Sequence, residues 1–216
     1  EGVADPPPLT AGAVLVDPYF FSYGTACFHL GLTEQAFAEV YLACQHRRRP
    51  ATIRGKRYVF VYVPGKRFFG FEETSVLGQV VQMATLERAL LDAIDRLRYA
   101  GGIGEVSRIT ARAAPRVSWD ALVELLRRWR SSALVQRVGY FLDLRGADVP
   151  GEIRNALLEL VLPDSKIQLG SRRKWGTSGR LARPWNVVEN VPRDVVLSKD
   201  EKPRRRVVFQ TGERNR

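Results

Sequence analysis

The chain is poor in the residues that carry most enzyme chemistry: among 216 residues there are two histidines, two cysteines and one methionine. His29 lies in an apolar stretch and His46 opens a basic one. Neither has a second His or Cys at the one-turn spacing of a helical metal site. Neither a G-x-S-x-G elbow nor a G-x-x-x-x-G-K-[ST] phosphate loop occurs. Gly102-Ile103-Gly104 starts like a dinucleotide fingerprint, but Ser107 stands at its third glycine position and a helix precedes it instead of a strand. No cofactor, no metal and no catalytic activity are expected on these grounds. A metal-dependent nuclease stays open as an alternative, because Pro163-Asp164-Ser165-Lys166 with Glu72 and Glu73 offers the carboxylates and lysine that hold a divalent ion and position water. Cys27 and Cys44 sit in apolar runs and read as buried free thiols, in keeping with a reducing cytoplasm. A run of about 18 uncharged apolar residues, which would cross a membrane, is missing. The opening stretch around Pro6-Pro7-Pro8 has no signal-peptide pattern.

What the chain does have is positive charge, unevenly placed. The net charge is +11, from 34 Lys and Arg against 23 Asp and Glu. From Lys166 onward there are 14 basic against 5 acidic residues, whereas the part before it is nearly balanced at 20 against 18. Segregation of this kind calls for a polyanion, and nucleic acid is the usual one. The basic stretch lacks the amphipathic helical pattern of a membrane-surface segment. Three groups stand out: Arg47, Arg48 and Arg49 with Arg54, Lys56 and Arg57; Arg172, Arg173 and Lys174 beside Trp175; and Arg204, Arg205 and Arg206. Loop guanidiniums fork onto phosphates and a neighbouring aromatic stacks on a base or sugar. The alternatives are solvated surface loops, a solubilising tail, or docking onto an acidic protein.

The apolar pattern predicts an α+β fold, with a small, mostly antiparallel sheet and an N-terminal helix first and a helical half packed on it afterwards. Strands are expected at Ala13–Val16, Glu39–Cys44, Thr52–Arg54, Arg57–Val63 and Gln79–Met83, with a tight turn at Gly55-Lys56. Ser22 is placed to cap a helix reaching about Leu30. Thr85 caps another, whose Leu86, Ala89, Leu90, Ala93, Ile94 and Leu97 recur at helical spacing, with Asp92 and Arg96 on the opposite face. Gly101, Gly102 and Gly104 break it. Helices follow from Ser118, around Leu134–Leu142, and from Glu152 to Leu162, then strand fragments at Ile167–Leu169 and Trp185–Val188. Phe68-Phe69-Gly70-Phe71 fits the seam between sheet and helices.

An ordered set of short motifs adds a family. Asp17-Pro18-Tyr19-Phe20 leads to Ala26–Thr33, then Arg67-Phe68-Phe69-Gly70-Phe71-Glu72-Glu73, Ala84–Asp92, Arg98-Tyr99-Ala100-Gly101-Gly102-Ile103 and Trp185–Pro192. In this order, across roughly residues 12–197, they resemble the AbiEi-type antitoxins, the transcription-regulating half of bacterial type IV toxin–antitoxin pairs. The resemblance is to that family's C-terminal domain, which carries antitoxicity. It implies a non-catalytic regulator that binds nucleic acid, DNA ahead of RNA, and counteracts a nucleotidyltransferase toxin acting on RNA. The family's operator-binding winged helix precedes this domain, and about eleven residues stand before it here. The expected layout is a linker remnant at 1–11, the AbiEi-like domain at 12–197 and a basic tail at 198–216. The competing reading is a nucleic-acid-binding accessory subunit of a larger ribonucleoprotein or defence complex.

Overall fold

The computed structural model describes residues 8–197. It is an α+β fold built on two sheets. Helix α1 (Pro8–Ala13) comes first, then β1 (Tyr19–Phe21), α2 (Tyr23–His29) and β2 (Glu39–Cys44). The hairpin β3 (Ala51–Ile53) and β4 (Lys56–Tyr62) follows, then β5 (Phe71–Val76) and β6 (Gln79–Ala84). These six strands form one sheet in the order β3-β4-β2-β1-β6-β5. β1–β2, β3–β4 and β5–β6 pair antiparallel, while β2–β4 and β1–β6 pair parallel, so the sheet is mixed. The two parallel pairings flank the central antiparallel β1–β2 pair. Both central strands need cover on both faces, as parallel pairs usually do. β2 has it: Val40 to Cys44 are all buried. Its odd residues face the helical side, where Tyr41 packs on Tyr99. Its even residues share the face of Tyr58, whose hydroxyl donates to Pro8 of α1 at 3.2 Å.

The predicted strand at Ala13–Val16 is absent. The end of α1 and a turn occupy that stretch, and the strand is formed instead by Tyr19–Phe21 after Pro18. Residues 8–11, assigned to a linker from composition, form the start of α1, where a Cβ on Gly12 would sit 3.0 Å from the Phe21 ring. The tail from residue 198 lies outside the described residues.

The helical half is α3 (Leu86–Asp95), α4 (Ile103–Ala113), α5 (Trp119–Trp129), α6 (Ser132–Leu144) and α7 (Gly151–Glu159). Thr85 caps α3 through its hydroxyl, which accepts from Arg88 N at 3.3 Å. α3 is enclosed by α2, α4, α5, α6 and β6, so the side that looked polar is buried too. The face opposite the apolar stripe is therefore not a solvent face: Asp92 on it is 1% exposed and bound to Arg88 and Ser22. Ser22 heads α2 without capping it, because its hydroxyl is given to Asp92. The glycines after α3 do not simply end it. Gly101 takes the left-handed conformation, and Gly102, at φ 90°, leads directly into α4.

A second sheet closes the chain: β7 (Ile167–Gln168), β8 (Arg180–Ala182) and β9 (Val187–Glu189) in the order β7-β9-β8, with α8 (Arg172–Trp175) and α9 (Arg193–Leu197) beside it. Trp185 fixes this sheet to α6. Its Nε1 donates to Asp143 at 2.7 Å, and its carbonyl accepts from Gln136 Nε2 at 2.9 Å. The ring lies flat on Gly139, where an added Cβ would sit 2.3 Å from it. Gly139→Ala is therefore expected to lower stability by about 1–3 kcal/mol, the usual cost of overpacking. Urea titration followed by tryptophan fluorescence checks this, and an unchanged midpoint would mean that the Trp185 contact is not tight. No helix among the described residues is long and apolar enough to cross a membrane.

Candidate nucleic-acid interface

The first basic cluster sits at the β3 edge of the six-stranded sheet. Arg54 and Gly55, both at positive φ (48° and 75°), make the two-residue turn between β3 and β4, the conformation a tight hairpin needs. Arg54 is thereby held at the exposed tip. The other members divide into two kinds. Lys56 Nζ donates to the Phe37 carbonyl at 2.9 Å, and Arg57 Nε pairs with Glu39 at 2.8 Å. Arg48 donates to the Leu15 carbonyl and lies over the Phe60 ring at 5.5 Å. These three serve the protein's own contacts. Arg47 lies over the Tyr62 ring at 5.0 Å, and Arg49 is exposed beside it. A cationic edge strand also discourages pairing with other sheets, a purely structural use of the same charge.

The second cluster was expected in a loop and is instead the single-turn helix α8. Its compact i→i−4 bonds (Trp175 N and Gly176 N to the carbonyls of Ser171 and Arg172) fit a chain that must turn sharply between β7 and β8. Arg172 Nε donates to Gln168 at 2.7 Å, Arg173 is exposed, and Lys174 Nζ lies 4.6 Å over the Trp175 ring. Trp175 is half-buried against Gly170 and has one face under Lys174. Beneath α8 the sheet is pinned by Glu189, which accepts from Arg180 at 2.8 Å and from Tyr140 of α6 at 3.0 Å. The Arg180 bond holds the Glu189 carboxyl below its usual range. Arg204, Arg205 and Arg206 lie outside the described residues.

The two clusters are joined by residues that the sequence did not mark as basic-cluster members. Tyr62, under Arg47, also accepts at its carbonyl from Arg96 Nη2 at 3.4 Å. Arg96 lines a cleft of about 470 Å³ together with Arg98, Arg137 of α6 and Ser171, the residue before Arg172. Burial pushes the Arg137 guanidinium below its ordinary value, with Asp95 opposing. Helical spacing pairs Arg96 with Asp92, but its carboxylate partner is Asp95, at 3.5 Å. Nothing local marks Arg137, which flanks an apolar stripe as many solvated arginines do.

The solved structures hold a counterpart. No family model matches this chain, and no curated protein matches it. The Rv2827c protein of Mycobacterium tuberculosis, known from a crystal structure, is 15% identical over 79% of this chain, with a TM-score of 0.57. A likeness at that identity shows a shared fold. The match takes in 61% of that protein's length, so this chain spans less than two thirds of it.

The residues weighed for other chemistry do not converge. Among the described residues, no group of three or more His, Cys, Asp or Glu side chains is arranged to hold a metal ion. Glu72 and Glu73 stand on β5 at the edge of the large sheet, whereas Asp164 precedes β7 in the small one. His29 and His46 are exposed. Cys27 and Cys44 are buried and free, and burial pushes both thiols above their ordinary value, which leaves them poor nucleophiles.

Proposed function

We propose that this chain is a non-catalytic antitoxin and transcription-regulator domain of a type IV toxin–antitoxin pair. In this reading it works in the cytoplasm, binds nucleic acid, DNA ahead of RNA, and counteracts a nucleotidyltransferase toxin. The observation that carries the nucleic-acid part is the exposed series Arg47, Arg49, Arg172, Arg173 and Lys174, spread on either side of a cleft lined by three more arginines. Exposed guanidinium and ammonium groups of this kind match a phosphate backbone. Support for the antitoxin part is the order of the motifs. Their residues supply β1, the Phe68–Phe71 seam, the capped helix α3 and the Trp185 anchor, the parts on which the fold depends.

The test is binding of labelled duplex DNA and of single-stranded RNA, by fluorescence anisotropy from about 50 to 300 mM salt. Affinity is expected to fall log-linearly with salt, with a slope near 0.9 for each phosphate contacted on DNA. Intact oligonucleotides after incubation with Mg²⁺ or Mn²⁺ are expected as well. A folded protein that binds neither probe at low salt would end the nucleic-acid reading. Metal-dependent cleavage that disappears in Asp164→Ala would replace it with the nuclease.

A further inference from the structure

Arg137 is the one arginine of the cleft that comes from the helical core, between Val135 and Val138 of α6. Its Nε is fully screened from solvent, yet finds no hydrogen-bond partner among the described residues. A buried charged donor without an acceptor is costly, and buried polar groups are nearly always satisfied. The Arg137 side chain lines the cleft, together with Arg96, Arg98 and Ser171. Arg98 is held in place by Tyr99, whose hydroxyl accepts from Nη2 at 2.6 Å and whose ring lies 4.5 Å from the guanidinium. Arg96 is braced by the Tyr62 carbonyl. The carboxylate of the wall, Asp95, is 3.5 Å from Arg96 Nε and offsets one of three positive charges. The rest of the lining is apolar, with Ile94, Leu97 and Leu169, and the volume exceeds what a bare anion needs.

We propose that this cleft is a phosphate-binding site that takes the phosphate of a nucleotide, with the Arg137 guanidinium as its innermost charge and Arg96 and Arg98 as the flanking pair. Three arginines lining one cleft offer the forked donors that a phosphate accepts, and the apolar wall suits the attached base. The nucleotide has two sources, a free nucleoside monophosphate or a phosphate within a bound strand. Only the second rests on the nucleic-acid reading above.

The experiment titrates AMP, and separately inorganic phosphate, into the full chain in low-salt buffer by isothermal calorimetry. The same titrations are run on Arg137→Met and Arg137→Lys. Saturable binding to the wild-type protein is expected, AMP tighter than phosphate. Arg137→Met should weaken it by about tenfold or more, the size of one lost charge-assisted bond, and Arg137→Lys should restore part of it. Without ligand, Arg137→Met should melt no lower than the wild type, because it removes an unpaired buried donor; a purely structural arginine would show the reverse. If Arg137→Met does not fold, Arg98→Gln, at another lining residue, carries the same expectation for affinity. No saturable binding of either probe overturns the proposal, as does binding that Arg137→Met or Arg98→Gln leaves unchanged. AMP that displaces a labelled oligonucleotide assigns the cleft to a strand phosphate, and AMP that binds without displacing it assigns a free nucleotide. Failure of the oligonucleotide to bind at all would remove the nucleic-acid reading and leave the AMP result standing.

Discussion

Arg88→Met is expected to lower the stability of the fold by about 3–5 kcal/mol at neutral pH, because it leaves one charge of a buried pair behind. Arg88 is fully buried. Its Nε donates to Asp92 at 2.9 Å, and Nη1 donates to the carbonyls of Arg67 and Phe69 at 2.7 and 2.6 Å. Its guanidinium lies against the rings of Phe20, Phe69 and Trp129, the last at 4.4 Å. One side chain thus ties the β1 strand, the Phe68–Phe71 loop and the end of α5 to the first turn of α3. Ser22 completes the set by donating to Asp92 at 2.5 Å. Burial pushes the Asp92 carboxyl above its ordinary value, while the charge of Arg88 and the bonds from Arg88 and Ser22 pull the other way. The sign of the pH dependence follows. A carboxyl whose folded value is raised binds more protons in the native state than in the unfolded chain. Its contribution is fully present below the ordinary carboxylate range and is lost as pH rises through the raised folded value. Without Arg88 the opposing charge is gone and the folded value rises further. The Arg88→Met deficit is therefore expected to shrink as pH falls from neutral toward the carboxylate range. Adding Asp92→Asn to it should recover part of the loss, since no uncompensated charge then remains. Urea titrations of the two variants at two pH values decide the matter. A neutral-pH loss below about 1 kcal/mol would mean that the pair is not what anchors α3.

That network shows where local pattern stops being informative. The β2 strand, the Thr85 and Ser118 caps and the apolar rows of α5 and α6 were legible, because each follows from periodicity and capping chemistry within a short stretch, and the hairpin turn was legible to within one residue, falling at Arg54-Gly55 and not at Gly55-Lys56. The α+β class followed from their order. Asp92 was misplaced because a helix enclosed on all sides has no solvent face, and enclosure is a property of the assembled layers. α4 was hidden by Gly101, Gly102 and Gly104, although Ile103, Val106, Ile109 and Ala113 keep helical spacing; two of these glycines build its start. β5 was missed because an edge strand with exposed Glu72 and Glu73 has little alternation to read. β1 was displaced because three residues are too few to carry a period. Parallel pairing of β1 with β6 and of β2 with β4 joins strands far apart in sequence, so nothing local records it. The basic clusters were legible as charge. That Arg48, Lys56 and Arg57 serve internal acceptors, and that Arg96, Arg98 and Arg137 line a cleft between the clusters, depends on tertiary neighbours.

This division among the basic residues gives unequal expectations for binding. Replacing Arg172, Arg173 and Lys174 together by alanine should weaken nucleic-acid binding by roughly 10²–10³-fold near 0.1 M salt and flatten the salt slope by roughly 2–3, the contribution of three phosphate contacts on DNA. The loss should be about equal across unrelated sequences, since contacts to phosphates position a protein without reading bases. The fold should survive, because all three side chains are exposed and their partners Gln168 and Trp175 belong to the same short segment. Arg47→Ala with Arg49→Ala should act in the same direction over two contacts. Arg57→Ala should not: its guanidinium is taken by Glu39 at 2.8 Å, so removing it frees a carboxylate and leaves the slope nearly unchanged. Anisotropy titrations of the three variants, with circular dichroism as the check on folding, separate a built phosphate track from general positive charge. If Arg57→Ala flattens the slope as much per residue as the Arg172–Lys174 triple, attraction depends only on net charge and the surface has no defined line of contacts. If the triple binds like the wild type, α8 faces a protein partner, and an acidic patch on the toxin becomes the surface to test next.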